Sequence, residues 1–205
     1  MKIILVGANG TIGQAITKSL SDLNAEIIAV GQNSGELQVN ITSEESIKAL
    51  FEKVGPFDGL ISAAGSGYYG PLEKMSAGEA IKGLGNKLMG QVNLVLIGKD
   101  YINAGGFFTL TSGNLAEEGN VNSANLGMIN GALNGFVVNA ALEMPKNIRL
   151  NVVSPSVLTE SVAKYGEPEN RESIPGEEVA AAYKQTVTEK INGQVLKAYG
   201  KLKTV

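Results

Sequence analysis

The chain has 205 residues, 43% of them hydrophobic and 18% charged, with a formal net charge of −3. That balance suits a single globular domain over residues 1–205, and mild acidity without a basic block argues against a nucleic-acid or anionic-membrane partner. Cysteine and histidine are both absent, which excludes thiol chemistry, disulfides, histidine acid–base catalysis and the common His/Cys zinc sites; with no long apolar run and no signal-peptide pattern, the expected location is the cytoplasm.

Lys2-Ile3-Ile4-Leu5-Val6 is a short apolar run of buried-strand type, and the helical stretch 11–20 follows it closely. Between them lies Gly7-Ala8-Asn9-Gly10-Thr11-Ile12-Gly13. Strand, glycine turn and helix together suit a dinucleotide pyrophosphate: Gly7 permits the tight turn, Gly10 lets phosphate approach the backbone, and Gly13 lets helix and strand pack closely. The helix N-terminus adds free N–H groups and partial positive charge.

Residues 25–30 and 37–41 read as the second and third strands. Thr42-Ser43-Glu44-Glu45 has capping-box spacing and starts a helix through Val54, which Gly55-Pro56 stops. A fourth strand, 57–63, runs into Ser62-Ala63-Ala64-Gly65. A long helix is expected over 76–103, weakened by Gly83, Gly85 and Gly90. Strand 107–111, helix 122–143, strand 148–153, helix 175–192 and strand 194–199 complete the order. The alternation predicts an α/β fold: one Rossmann-type, doubly wound parallel sheet of about seven strands with helices on both faces. Residues 160–175 are polar, contain Pro168, and read as a surface loop able to cover a substrate.

Together these landmarks resemble the short-chain dehydrogenase/reductase family over essentially the whole chain. The resemblance rests on Gly7, Gly10 and Gly13, on Ser62-Ala63-Ala64-Gly65 where the family has Asn-Asn-Ala-Gly, and on Phe107-Phe108-Thr109-Leu110-Thr111-Ser112 as the strand carrying the active-site serine. Ser154-Pro155-Ser156 stands at the family's Pro-Gly turn, and Asn192-Gly193-Gln194-Val195-Leu196 resembles Thr-Gly-Gln-x-Leu before the last strand. The resemblance implies an NAD(P)(H)-dependent oxidoreductase acting on a small carbonyl or alcohol. It assigns cofactor contacts to Gly7 through Gly13 (Ala8, Asn9, Thr11 and Ile12 included), to Gln32, Asn33 and Ser34, to Asn40 and Ile41, to Ser62 through Gly65, and to Pro155, Ser156, Val157 and Leu158.

Gly31-Gln32-Asn33-Ser34 follows the second strand with no acid to hold a ribose and repel a 2′-phosphate, which favours NADP, with NAD as the alternative. Gln32 and Asn33 also suit an ordinary turn. The family's proton donor, the tyrosine of Tyr-x-x-x-Lys, is missing: matching Gly135-Phe136 and Leu142-Glu143-Met144 to the family's fifth helix puts Leu126 at the tyrosine and Asn130 at the lysine. The literal Tyr199 to Lys203 pair lies beyond the last strand and reads as coincidence.

Two residues are candidates for the chemistry. Ser112, at the carboxyl end of its strand, would orient a carbonyl or else cap the turn before Gly113. Lys87 of Lys87-Leu88-Met89-Gly90 stands at the family's Asn-x-x-Gly, where it would replace the missing acid or else sit on a solvated helix face. Tyr68, Tyr69 and Tyr165 read as loop cover. A non-catalytic dinucleotide sensor is the alternative reading. The apolar stretches 94–97 and 132–138 exceed what one sheet face covers, and the family pairs these two helices between subunits, so a homodimer or homotetramer is expected through them.

Overall fold

A computed structural model describes residues 1–203. One seven-stranded, wholly parallel sheet organises the chain in the order β3-β2-β1-β4-β5-β6-β7. The strands are β1 (Lys2–Val6), β2 (Glu26–Gly31), β3 (Leu37–Gln38), β4 (Phe57–Ser62), β5 (Ile102–Thr111), β6 (Arg149–Pro155) and β7 (Val195–Ala198). The chain winds outward from β1 to β3, then restarts at β4 on β1's other side. The crevice at that switch, above the carboxyl ends of β1 and β4, is where sheets of this kind take ligands.

The helices are α1 (Thr11–Ser19), α2 (Glu44–Val54), α3 (Ala77–Gly83), α4 (Gly90–Gly98), α5 (Ala124–Ala140), α6 (Val162–Tyr165) and α7 (Gly176–Thr188). Alternation along β1 builds the two cores. Ile3 and Leu5 pack with Ile16 of α1, with Leu20 just after it, and with Val179 and Tyr183 of α7. Ile4 and Val6 point the other way, into a core shared with α2, α4 and α5 through Phe51, Leu94, Val95, Leu133 and Val137. A parallel sheet must be covered on both faces, and near-continuous apolar strands are its sequence counterpart. Among the described residues, no helix is long and apolar enough to cross a membrane.

Several boundaries differ from expectation. The helix expected over 76–103 ends at Gly98, and Ile102 already pairs with Phe57; the register then shifts before Gly59 meets Phe107. Between α3 and α4 the backbone makes a π-helical turn, Leu84–Met89. The third strand shrinks to two residues because Asn40 folds back, its Oδ1 accepting from Thr42 N at 3.0 Å and Thr42 Oγ1 at 2.7 Å. That turn removes Thr42 from capping: Ser43 is the N-cap of α2 and accepts from Ser46 N. The chain's reciprocal capping box is instead Ser76 with Glu79, at the start of α3. The expected loop 160–175 contains α6, and its far end pairs with the tail through an Arg171–Leu202 bridge.

One buried amide fixes the end of β5. Gln91, fully buried on α4, accepts from Thr111 N at 2.8 Å and donates Nε2 to Thr111 O at 2.9 Å. Both backbone groups lie at the last residue of the strand, next to Ser112. Gln91→Met keeps the volume and orphans both groups, each a loss of about 1–3 kcal/mol. The urea midpoint of this variant falls accordingly.

Candidate active site

The crevice above β1 is bounded by the glycine turn. Gly7 has φ +88°, and a Cβ there would lie 2.6 Å from Ala63 O, so the fold itself requires this glycine. Gly13 lies against the Gly7 and Ala8 carbonyls, again with no room for a side chain. Gly10 differs: a Cβ would meet only Gly7 O, at 3.4 Å. Its bareness is not needed for packing, and it leaves the start of α1 open. No side chain caps that helix, and its first turn carries no acid. Such an end offers N–H donors and partial positive charge to an anion.

Gln32, Asn33 and Ser34 are exposed beyond β2, and Asn9 Nδ2 donates to Ser34 Oγ at 2.9 Å, joining the glycine turn to this segment. Asn40 and Ile41 are engaged elsewhere. The Asn40 amide closes its own turn, and the buried Ile41 side chain fills the space that Gly90 leaves on α4. On the far side, Ser62 is fully buried with its Oγ unpartnered among the described residues, whereas Ala63, Ala64 and Gly65 lead outward. Pro155, Ser156 and Leu158 are buried at the end of β6. Ser156 Oγ accepts from Gly200 N at 3.1 Å, and Val157 is half-buried beside the neighbouring cleft.

That cleft has a volume of about 370 Å³. Lys87 lines it together with Tyr69, Leu126, Val157 and Tyr165. The π turn resolves which residue points inward: Asn86 turns aside, its Oδ1 accepting from Ser66 N at 2.8 Å, and Lys87 reaches into the protein. Its Nζ donates to Ser112 O at 2.9 Å and to Asn130 Oδ1 at 2.8 Å. Two glycines make this possible. A Cβ on Gly65 would lie 2.7 Å from Lys87 Cα, and one on Gly113 would lie 2.8 Å from Asn130 Nδ2. Among the described residues no carboxylate pairs with Lys87, so burial pulls its ammonium down to about 8.

Ser112 ends β5 with its N–H on Val153 O at 2.9 Å. It is 3% exposed, and its hydroxyl has no partner among the described residues. A buried hydroxyl without a partner is costly in a fold that needs nothing from it. Lys87, Ser112 and Asn130 are thus brought together; of the three Lys87 lines the cleft, and Leu126 lines it too, at half-burial. Tyr199 and Lys203 do not line it: Tyr199 Oη meets Ser154 Oγ at 3.0 Å, and Lys203 Nζ donates to Pro168 O at 2.8 Å.

Three features escaped the sequence reading. Asn125 on α5 pins the loop after β4, accepting from Tyr68 N at 2.9 Å and donating to Ala80 O at 3.2 Å. Gln91 holds β5; a lone amide inside an apolar helical stretch was the available clue. Arg171 closes the rim: its Nε lies 2.7 Å from both Glu118 oxygens, Nη2 also meets Glu118, and Nη1 donates to Gly200 O at 2.9 Å. The guanidinium stacks on Tyr199 and holds the Glu118 carboxyl below the usual carboxylate range. No periodicity reveals a pair separated by this much sequence.

Comparison with known proteins agrees with this architecture. The family model described as Enoyl-(Acyl carrier protein) reductase matches residues 7–195. No curated protein matches the chain. Among solved structures, the protein lin1944 from Listeria innocua is 41% identical over 97% of this chain and 100% of its own, with a TM-score of 0.94. A small-chain dehydrogenase is 27% identical, covering 98% of this chain and 97% of its own, with a TM-score of 0.84. Another, solved in complex with NADPH, shares the fold at 23% identity and a TM-score of 0.86, over 97% of this chain and 96% of its own. With the family model matching nearly the whole chain and the sheet, glycine turn and cleft in the corresponding order, the chain belongs to the short-chain dehydrogenase/reductase family.

Proposed function

We propose that the protein is an NADP(H)-dependent oxidoreductase that reduces a small carbonyl compound, with Lys87 as the proton donor and Ser112 as the group that orients the carbonyl. The observation that carries this reading is the Lys87 ammonium, held on two neutral oxygens in a cleft beside a buried, unpartnered serine hydroxyl. Gly10 and the uncapped start of α1 suit the pyrophosphate, and Asn9, Gln32, Asn33 and Ser34 supply neutral donors for a 2′-phosphate with no carboxylate among them. The NADPH complex of the 23% identical relative supports the same choice of cofactor. When bound, the nicotinamide supplies hydride to the carbonyl carbon.

Within the cleft, Lys87 has three N–H bonds as an ammonium. Ser112 O and Asn130 Oδ1 accept two of them. The third remains for an oxygen seated in the cleft, and its proton neutralises the alkoxide as charge develops. The Ser112 hydroxyl donates to that same oxygen and fixes its direction. Leu126, at the family's tyrosine position, supplies no proton and keeps the cleft wall apolar.

Binding and chemistry are tested separately. Gly10→Asp adds a side chain and a negative charge at the start of α1; calorimetry loses NADPH affinity while circular dichroism is unchanged. Retained affinity removes the crevice from the reading. Lys87→Met leaves NADPH affinity within a few-fold and lowers carbonyl reduction by about 10²- to 10⁴-fold. In the wild type the donor must be protonated, so the reduction rate is flat below the Lys87 value of about 8 and falls as pH rises through it. The limb is absent in Lys87→Met. A wild type that binds NADPH yet reduces no member of a carbonyl panel is a cofactor sensor instead.

The same reading includes assembly as a homodimer or homotetramer. Met89 and Leu96 are exposed about α4, Met128 and Val138 on α5, and Leu142 beyond it. Pairing α4 and α5 across a two-fold axis covers these groups. Light scattering at micromolar concentration gives a mass of two or four chains, and Leu96→Asp shifts it toward one; a wild-type monomer refutes the pairing.

A further inference from the structure

Proton transfer uses Lys87 as an ammonium, but the same geometry also prepares its neutral form. A neutral amine has two N–H bonds and one lone pair. Ser112 O at 2.9 Å and Asn130 Oδ1 at 2.8 Å are acceptors only, so they take both hydrogens. The lone pair is then left for the remaining side of the nitrogen, and the open space beside Lys87 is the cleft of about 370 Å³. Gly65 packs against the lysine stem, where a Cβ would fall within 3.0 Å of Lys87 Cα, Cβ and Cγ, so the side chain is held in place.

Lys48, Lys99, Lys184 and Lys197 are paired with carboxylates, which favour the ammonium. Lys2 and Lys203 each donate to a single backbone carbonyl, Val54 O and Pro168 O. Lys87 has neutral acceptors and a half-buried position. Its value of about 8, against 10.5 for an ordinary lysine, leaves roughly 300-fold more free amine at pH 7.

We propose that Lys87 is a covalent modification site for small aldehydes, forming an imine with an aldehyde seated in the cleft. The nitrogen lone pair forms a bond to the carbonyl carbon while the C=O π pair moves to oxygen. A proton passes from nitrogen to oxygen and gives the carbinolamine. The C–O bond then breaks, and the oxygen departs as water with a second proton, leaving C=N. Nothing is oxidised or reduced. When protonated, the imine keeps one N–H for Asn130 Oδ1 or Ser112 O. Leu126 and Val157 line the same cleft and offer apolar surface to the aldehyde's carbon chain.

The test needs no turnover, so its outcome is separate from that of the reductase reading. The full chain, without cofactor, is incubated at pH 7 with propanal and cyanoborohydride. Solvent protonates the imine nitrogen, the cyanoborohydride adds hydride to the imine carbon, and peptide mapping by mass spectrometry follows each amine over time. Lys87 is expected to gain the propyl group at least about tenfold faster than exposed Lys48 and Lys53, with only the Met1 α-amine at a similar rate. Asn130→Asp sets a carboxylate beside Nζ, favours the ammonium, and slows Lys87 labelling about tenfold while Met1 is unchanged. If that variant fails to fold, the wild-type rate comparison decides. Lys87 labelled no faster than Lys48 and Lys53, or not labelled at all, overturns the proposal.

Discussion

An ammonium held by two neutral oxygens is the interaction around which the cleft is arranged. Removing a charge from water is costly, and a carboxylate partner would offset that cost but fix the proton on nitrogen. Ser112 O and Asn130 Oδ1 offset it in part, so the two protonation states of Lys87 stay close in free energy. Much of the local structure serves this contact. The π turn aims the side chain, Gly65 and Gly113 provide the space, and Gln91 holds the strand end that presents the Ser112 carbonyl. A π turn inside a helix interrupts the regular hydrogen-bond ladder, and such turns gather at sites where a side chain must be redirected.

On the matching proposed for Lys87 and Asn130, lysine and asparagine exchange helices relative to the family pattern. The short amide comes from α5 at Asn130, and the long amine crosses from the π turn before α4. The two side chains still meet, because the longer one spans the distance from the other wall. Under the proposed function, with Leu126 matched to the tyrosine position, proton transfer falls to the amine rather than to a phenol tuned by it.

The fold was largely legible from the sequence because apolar runs and glycine turns are local. β1, the glycine turn and α1 follow from adjacent residues, and the seven strands appear in the expected order. Errors gathered where local rules compete with tertiary pairing. The helix to residue 103 was overrun because Ile102 answers to Phe57 across the sheet, not to its own periodicity. Thr42 has capping-box spacing, but the Asn40 side chain claims it first. At the site, Asn86 and Lys87 are adjacent in sequence, and the π turn sets which of them faces inward. The Arg171–Glu118 pair and the Gln91 clamp depend on contacts between distant segments, which carry no periodic trace.

The strip of chain over the cleft is joined to the C-terminal tail. Glu172 N donates to Lys201 O at 2.8 Å, Lys203 N to Asn170 O at 3.0 Å, and Arg171 ties both to Glu118. The glycine turn and the β4 exit, by contrast, lie within the first 65 residues. A chain emerging from the ribosome therefore has the first half of its dinucleotide crevice in hand long before the cleft can be roofed. The two halves of the site are separated in time of synthesis as well as in space, and residues 200–203, which hold the strip over the cleft, follow long after the glycine turn.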